Sequence, residues 1–314
     1  MLNEKGNVNM KKIKLGGTTL HSAPIAFGCM RMAGLEVEKA ERIVNLAVEQ
    51  GIDLFDHADI YGGGESERLF AKVLGRNPGL RGKMLVQSKC GICKGYYDAS
   101  KAHILEAVDG ILSRLAVDYL DILLLHRPDA LMEPEEVAEA FDTLHRTGKV
   151  RAFGVSNQNA AQMALLQKHM PHRILIDQLQ FGVAHTGMVD AGVNVNIHSD
   201  HAVVRDGGVL DYCRLNDITI QAWSPFQYGM FEGVFLGCEK YAKLNEEIQM
   251  IASEKGVTDS AIAVAWIMRH PARIQTIVGT MNEQHLRDIC KAFEVELTRQ
   301  EWYRLYLAAG NPLP

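Results

Sequence analysis

The sequence predicts a (β/α)8 TIM barrel with an N-terminal β-hairpin and extended loops over the C-terminal mouth. Eight short apolar runs recur along the 314 residues, and most are separated by segments of helical periodicity. Strands that alternate with helices form parallel sheets, and strands that are apolar along most of their length are covered on both faces. Eight such units in a chain of this length fit a closed barrel better than an open sheet.

Each predicted strand is an apolar run between polar residues. In chain order the runs are PIAFGCM, GIDLFDHAD, MLVQSKC, DILLLHR, VRAFGVSN, ILIDQLQF, ITIQAWSPF and IQTIVGT. The preceding segment KKIKLGGTTL, residues 11–20, predicts a small hairpin that turns at Gly16 and Gly17. The segment from Phe181 to Gly208 interrupts the alternation. We expect it to be an irregular excursion over the barrel mouth, because long connections usually serve a function.

Periodicity, caps and glycines delimit the predicted helices. These helices cover residues 36–50, 66–74, 101–116, 135–147, 258–269 and a last one that begins at Thr298. Two of them end directly before a glycine, which helix C-termini favour. Asp98 or Ser100 is expected to cap the third helix, and Thr258 the fifth. Thr298 and Glu301 form the capping-box pattern of the last helix.

Composition and charge exclude several classes of protein. Apolar residues make up 47% of the chain, and the net charge of −5 gives no basic surface for nucleic acid or an anionic membrane. No apolar run approaches the roughly 20 residues that cross a bilayer. The N-terminus is polar and lacks the apolar core of an export signal. We therefore expect a cytoplasmic protein, with one domain over residues 11–314 behind a flexible extension at residues 1–10.

Polar side chains gather at the C-terminal ends of the predicted strands, where TIM barrels carry their chemistry. Asp56, Lys89 and His126 end strands two, three and four, and Tyr61 follows Asp56 by five residues. A phenol has a pKa near 10, and a nearby ammonium is expected to lower it. A carboxylate holds the lysine charged, and a neutral histidine orients a carbonyl group. The pattern predicts that Tyr61 protonates a developing alkoxide during carbonyl reduction.

The motifs that contain these residues resemble those of the aldo-keto reductase family, from about Lys12 to the C-terminal region. They are FDHADIYGGGESE at residues 55–67, SK at 88–89, LLLH ending at His126, and GVSN at 154–157. In addition, HTGMVDAGVNVN at 185–196 resembles a subgroup of bacterial reductases whose substrates are uncertain. The resemblance implies NAD(P)H-dependent reduction of a small aldehyde or ketone, or the reverse oxidation, without a metal. In that family Tyr61 would be the general acid, assisted by Lys89 and Asp56, with His126 orienting the carbonyl.

The resemblance also implies a cofactor, NADP or alternatively NAD, extended across the barrel mouth. The positions that match family cofactor contacts are Gly28, Met30, Ser156, Asn157, Gln178, Trp223, Ser224, Phe226, Gly279, Thr280 and His285. Ser156, Asn157 and Gln178 would hold the carboxamide, and Trp223 would stack on the nicotinamide ring. The backbone of residues 224 and 226 would meet the pyrophosphate. After strand eight the family often has more cations than this chain, which has His285 where an arginine is frequent, so NAD remains an alternative to NADP.

Other interpretations stay open at this point. His57, Asp59 and His126 superficially resemble the ligands of a metal-dependent TIM-barrel hydrolase. Aldo-keto reductase folds also serve as cofactor-sensing subunits with little turnover. Cys90 and Cys93 form a CxxC that is compatible with a redox switch, although no helix is predicted to start there. The sequence carries no signal for an oligomeric state, and we expect substrate choice to reside in the mouth loops at residues 91–98 and 182–205.

Overall fold

A closed barrel of eight parallel strands forms the centre of the protein. The computed structural model describes residues 11–314, so the extension predicted at residues 1–10 lies outside the described residues. The strands are Ile25–Gly28, Leu54–Asp56, Leu85–Cys90, Leu120–Leu125, Val150–Ser156, Ile174–Gln180, Thr219–Trp223 and Gln275–Val278. They follow one another around the barrel in chain order, and the eighth pairs with the first. Each overlaps one of the eight predicted runs, which confirms the predicted fold.

The N-terminal hairpin closes the end of the barrel opposite the mouth. Its strands are Ile13–Lys14 and His21–Ser22, so the second begins just beyond the predicted segment. Gly16 turns the chain at φ 56°, and its amide donates to Thr219 Oγ1 over 2.8 Å. Leu15 is fully buried in an apolar cluster inside the barrel with Ala26, Leu54, Ile122, Leu124, Leu175, Ile176 and Ile277. The hairpin therefore supplies side chains that fill the barrel floor.

Four buried glutamines occupy the barrel interior between this apolar floor and the mouth. They are Gln87, Gln178, Gln221 and Gln275. The Gln221 oxygen accepts from the amide groups of Gln87 and Gln178 over 2.8 and 3.0 Å, and its nitrogen donates to the Gln275 oxygen over 2.8 Å. Gln275 in turn donates to Ala23 O and Ser22 Oγ over 2.6 and 3.0 Å. Because buried amides need partners, this network satisfies each glutamine through the others and reaches the hairpin.

An outer layer of α-helices covers the barrel. The helices are Val37–Glu49, Glu65–Arg76, Lys101–Leu115, Pro134–Arg146, Ala160–His169, Gly187–Val193, Val209–Leu215, Ala242–Lys255, Asp259–Met268, Glu283–Cys290 and Arg299–Ala308. Ser100, rather than Asp98, caps the third predicted helix by accepting from the His103 amide. Thr298 and Glu301 form the predicted capping box. Thr258 stands at the start of its helix, but its side chain makes no cap hydrogen bond.

The segment from Phe181 to Gly208 is more ordered than the sequence indicated. It contains the helix Gly187–Val193 and a short 3-10 turn at Asp200–Ala202. Tyr306 Oη donates to Asp190 Oδ1 over 2.8 Å, which fastens this short helix to the last helix of the chain. The sequence did not reveal the helix because its two turns are too short to show clear periodicity. Of the helices in residues 11–314, none combines the length and the apolar character needed to cross a membrane.

Candidate active site

A fully buried lysine joins two predicted site residues at the barrel mouth. Lys89 Nζ donates to Asp56 Oδ2 and to the backbone oxygen of His57, each over 2.8 Å, and to Tyr61 Oη over 3.1 Å. These three acceptors satisfy all three ammonium hydrogens. Burial opposes the charge on Lys89, but the neighbouring Asp56 carboxylate and Tyr61 raise its pKa above the usual value. The structure thus brings Asp56, Tyr61 and Lys89 together as the sequence predicted, with the lysine held as an ammonium.

The predicted direction of the Tyr61 pKa is wrong. Burial raises the pKa of this phenol above 10, and this effect exceeds the lowering caused by Lys89. Asp56 also raises it, because its negative charge lies beside the ammonium and offsets part of the positive field at the phenol oxygen. Tyr61 is therefore protonated at neutral pH and is a donor in the structure as it stands.

Three consecutive glycines carry the chain away from Tyr61. Gly62, Gly63 and Gly64 have φ values of 59°, 64° and 89°, a left-handed region that other residues rarely occupy. A Cβ at Gly62 would stand 2.4 Å from Ala33 Cβ, and one at Gly64 would stand 2.7 Å from Arg114 Cδ. The backbone conformation favours glycine at all three positions, and a side chain would also collide at Gly62 and Gly64. The turn lets the helix Glu65–Arg76 begin directly after the phenol.

A second buried ion pair supports this loop and the lysine strand from outside the barrel. Glu67 is fully buried, and its carboxylate accepts from Arg114 Nε over 2.7 Å and from Ser88 Oγ over 2.9 Å. Ser88 precedes Lys89 and faces outward, because successive side chains of a strand point to opposite faces. Burial raises the pKa of Glu67, and Arg114 counteracts this rise. The pair thus contacts both the lysine strand and, through Arg114, the backbone at Gly64.

His126 lies beside Tyr61 at the end of strand four. The two rings meet edge to face, with centroids 6.0 Å apart and an interplanar angle of 82°. Burial, followed by the positive charges of Lys89 and Arg127, lowers the pKa of His126 well below 6.5. Its Nδ1 is buried without a hydrogen-bond partner among residues 11–314. His126 is therefore neutral at pH 7.

Two interior glutamines hold the second oxygen of Asp56. Gln87 and Gln178 donate to Asp56 Oδ1 over 2.5 and 3.1 Å. The amide group of Gln178, which the family resemblance assigned to the cofactor carboxamide, is engaged with Asp56 and Gln221. Gln87 and Gln221 were missed from the sequence. Their positions could have revealed them. Each is a polar residue in an apolar strand and stands two places before a mouth residue, Lys89 or Trp223, so it points into the barrel as that residue does.

The predicted carboxamide residues lie on the far side of the mouth. Ser156 Oγ donates to Gln178 O over 2.9 Å, and Asn157 Nδ2 donates to Ser156 Oγ over 2.7 Å. Asn157 has a φ of 57° and its side-chain oxygen accepts from Trp223 Nε1 over 3.2 Å. Phe231 stacks on the Trp223 ring at 5.9 Å between centroids. Strands five, six and seven therefore present a connected polar and aromatic wall.

The remaining predicted cofactor positions lie where strands one and eight meet and in the loops that follow strands one and seven. Gly28 and Gly279 face each other, and a Cβ at Gly279 would stand 3.6 Å from Gly28 O. Met30 is 44% exposed, whereas Phe226 packs against the core. Ser224 has a φ of 50°, so the chain turns sharply after strand seven.

The segment after strand eight begins a short helix. Thr280 Oγ1 accepts from the Asn282 amide over 3.2 Å, and the Asn282 side chain accepts from the His285 amide over 3.1 Å. The His285 amide is thus already satisfied. Glu283 forms an ion pair with Arg42 over 3.1 Å. The region therefore has few cations free for a phosphate group.

The predicted metal-ligand candidates and the CxxC lie in packed or loop surroundings. The His57 ring faces outward and contacts the edge of Phe70, with centroids 4.5 Å apart, so it does not join Asp56 and Tyr61. Within residues 11–314 no three His, Cys, Asp or Glu side chains are grouped as metal ligands. Cys90 and Cys93 are free thiols; Cys93 lies in a two-residue strand that pairs with Tyr96–Tyr97, rather than at the start of a helix.

Comparison with known proteins agrees with this architecture. A model of the Aldo/keto reductase family matches residues 24–306. The 6-dehydroglucose reductase of Agrobacterium fabrum is 34% identical, covering 96% of this chain and 99% of that protein. Oxidoreductase YdhF of Escherichia coli is 33% identical, covering 85% of this chain and 86% of its own.

A solved structure shows the same fold. The thermostable aldo-keto reductase Tm1743, crystallised with the inhibitor epalrestat, matches with a TM-score of 0.77 and 24% identity over 95% of this chain and 100% of that one. The family model covers most of the chain, and both relatives named above are oxidoreductases. This protein therefore belongs to the aldo/keto reductase family and is an oxidoreductase of carbonyl compounds.

Proposed function

We propose that the protein reduces an aldehyde or ketone to an alcohol with NADPH or NADH, or catalyses the reverse oxidation. The observation that carries the proposal is Lys89 Nζ, which bridges Asp56 Oδ2 and Tyr61 Oη in a buried position. A phenol held this way by an ammonium is arranged for proton transfer to a carbonyl oxygen. A neutral histidine at its edge fits the task of orienting that oxygen.

The proton in this mechanism comes from Tyr61. The phenol is protonated at neutral pH, and it donates its proton as negative charge develops on the carbonyl oxygen. Lys89 then stabilises the phenolate that remains, and Asp56 keeps Lys89 charged and in place. His126 Nε2 would donate to the same carbonyl oxygen, because a hydrogen on the buried and unpartnered Nδ1 would have no acceptor.

The mouth residues fit a nicotinamide cofactor. When bound, NAD(P)H supplies a hydride to the carbonyl carbon. Trp223 carries an indole ring at the end of strand seven, and Ser156 and Asn157 carry polar side chains beside it. Gly28 and Gly279 lie beside each other where strands one and eight meet, and a Cβ at Gly28 would stand 3.0 Å from Ile277 Cγ2, so the backbone at this point carries no side chain. These features support the cofactor contacts that the sequence implied.

We expect NADP to be the preferred cofactor, with NAD also accepted. Thr280 and His285 are the groups that would contact an adenosine 2′-phosphate. Arg42, the cation paired near this helix, is already neutralised by Glu283. A preference that rests on so few charges should be modest and should weaken with added salt. The six free cysteines agree with a reduced, cytoplasmic setting.

The test is a panel of aldehydes and ketones assayed with NADPH and NADH separately. Because the Agrobacterium fabrum relative is named a 6-dehydroglucose reductase, the panel should include a hexose oxidised to an aldehyde at carbon 6. We expect cofactor oxidation with at least one aldehyde. Tight nicotinamide binding without turnover across the panel would instead favour a cofactor-sensing subunit, and stoichiometric zinc in purified protein would favour a metal-dependent hydrolase.

A further inference from the structure

The side chains of Arg127 and Trp223 meet at the barrel mouth. Arg127 follows His126 directly after strand four, whereas Trp223 ends strand seven, and strands five and six lie between them. The Arg127 Cζ atom nevertheless lies 5.8 Å from the centroid of the Trp223 ring. The Trp223 ring itself points over the mouth, since its Nε1 donates to Asn157 at the end of strand five. Arg127 and Trp223 therefore meet at the mouth, close to the end of strand five.

The guanidinium of Arg127 has no acidic partner in the part of the chain that the structure describes. Other half-buried arginines of the protein are paired: Arg114 with Glu67 and Arg81 with Asp121. Arg127 instead lies half-buried against an aromatic ring, with its five N–H donors free of side-chain carboxylates. Such a cation attracts oxygen acceptors strongly, because charge-assisted hydrogen bonds to a planar guanidinium are directional and strong.

The position of Arg127 relates it to the reacting carbonyl. It adjoins His126 in sequence, and its charge acts on the His126 ring. A carbonyl oxygen held between Tyr61 and His126 would therefore leave the rest of a small substrate within reach of the guanidinium. Trp223 and Phe231 form an aromatic surface on the same side, so an apolar substrate would leave this cation without a partner.

We propose that Arg127 determines substrate specificity by binding an oxygen-bearing substituent close to the reacting carbonyl, so that oxygen-rich aldehydes are preferred over plain alkyl aldehydes. The proposal rests on the proposed carbonyl reduction and deepens it. The substituent is either a hydroxyl group, as in sugar-derived aldehydes, or a carboxylate, as in semialdehydes. Both present the acceptor oxygens that a guanidinium binds.

The experiment compares matched pairs of aldehydes in the wild type and in Arg127→Met. Glyceraldehyde is paired with propanal to test hydroxyl groups, and succinic semialdehyde with butanal to test a carboxylate. In Arg127→Met we expect kcat/KM for at least one oxygenated member to fall roughly 10- to 100-fold, mainly through KM, as for loss of a hydrogen bond to a charged group. The plain aldehydes should change less than about threefold. The pair of aldehydes whose ratio of kcat/KM values changes in Arg127→Met identifies the substituent that Arg127 binds.

Two further variants and one binding measurement complete the design. Arg127→Lys keeps the charge without the planar fork and should recover part of the lost preference. Arg151→Met is the matched control, because Arg151 also stacks on an aromatic ring, Tyr119 at 3.7 Å, but at the start of strand five, away from the mouth. Calorimetric titration should give the same Kd for NADPH in the wild type and in Arg127→Met.

The outcomes separate this inference from the proposed function. If the wild type reduces both members of a pair and Arg127→Met leaves both ratios unchanged, the inference is wrong while carbonyl reduction stands. If Arg127→Met weakens NADPH binding instead, the guanidinium serves the cofactor and the inference is also wrong. Absence of reduction of every aldehyde by the wild type would contradict the proposed function itself.

Discussion

Lys89 Nζ lies 3.1 Å from Tyr61 Oη, and Asp56, the ion-pair partner of Lys89, accepts a hydrogen bond from Gln87 inside the barrel. The phenol is protonated in this arrangement because burial outweighs the ammonium. The same ammonium is within reach of the oxygen when the proton has left. The pair therefore fits a donor that becomes a stabilised anion only during reaction, which makes Tyr61 the first residue to test.

Replacement of Tyr61 by Phe removes the proposed proton donor and little else. We expect kcat for aldehyde reduction to fall by a factor on the order of 100 to 10,000, the usual contribution of a positioned acid. The Kd for NADPH should stay within about threefold, because the hydroxyl makes its hydrogen bond to Lys89 rather than to the mouth wall. Steady-state kinetics and calorimetry measure the two effects. A variant that reduces aldehydes at the wild-type rate would show that the proton comes from another group.

Gln87 is predicted to be a positioning residue that acts through Asp56. In Gln87→Met, Asp56 Oδ1 loses its 2.5 Å donor but keeps Gln178, so we expect kcat to fall roughly 10-fold with an altered pH profile. Gln275→Met is the matched control, because it cuts the same network at its far end, next to Ser22 and Ala23. It should lower thermal stability without a comparable loss of kcat. Equal losses of kcat in both variants would mean that the glutamines only stabilise the fold and do not position Asp56.

The Glu67–Arg114 pair is expected to stabilise the fold around the tyrosine loop. Arg114→Met leaves a fully buried carboxylate without its cation, and we expect a loss on the order of 3 kcal/mol in the free energy of unfolding. Adding Glu67→Gln removes the charge as well, so the double variant should be more stable than Arg114→Met. Urea unfolding near pH 7.5 measures both. A double variant that is no more stable than Arg114→Met would contradict an electrostatic origin.

His57 should make the fold less stable in mild acid. Burial, followed by the charge of Lys89, lowers the pKa of His57 from 6.5 to about 3 in the folded state. Below pH 6.5 the unfolded chain therefore takes up a proton that the folded chain does not, and stability falls as pH decreases towards 3. One such group contributes about 1.4 kcal/mol per pH unit in this window.

Replacement of His57 by Phe or Gln tests that linkage. The difference in unfolding free energy between variant and wild type should change with pH between 6.5 and 4, in favour of the variant at the acid end. Above pH 7 the difference should be constant, because the imidazole is then neutral in both states. Urea titrations at half-unit pH steps provide the measurement. Parallel pH curves for wild type and both variants would exclude His57 as a source of the acid sensitivity.

Local pattern was sufficient to predict the barrel and the residues at its mouth. Apolar runs identified all eight strands, and their last residues identified Asp56, Lys89 and His126, because parallel strands end on one face. Glu67 and Arg114 pair across 47 positions, which no local pattern reveals. The sign of the Tyr61 pKa shift depends on how deeply the ring is buried, and the sequence specifies the neighbouring charges but not that depth.

The network of four buried glutamines has a consequence for proton transfer. Amide side chains donate and accept hydrogen bonds but do not ionise near neutral pH, so the glutamines that connect Asp56 to the hairpin include no group that passes a proton onward. Below it the floor is apolar and sealed by Leu15. The barrel thus insulates Tyr61 from solvent on the hairpin side. If Tyr61 is the proton donor, we expect each proton that it gives up to be replaced through the mouth.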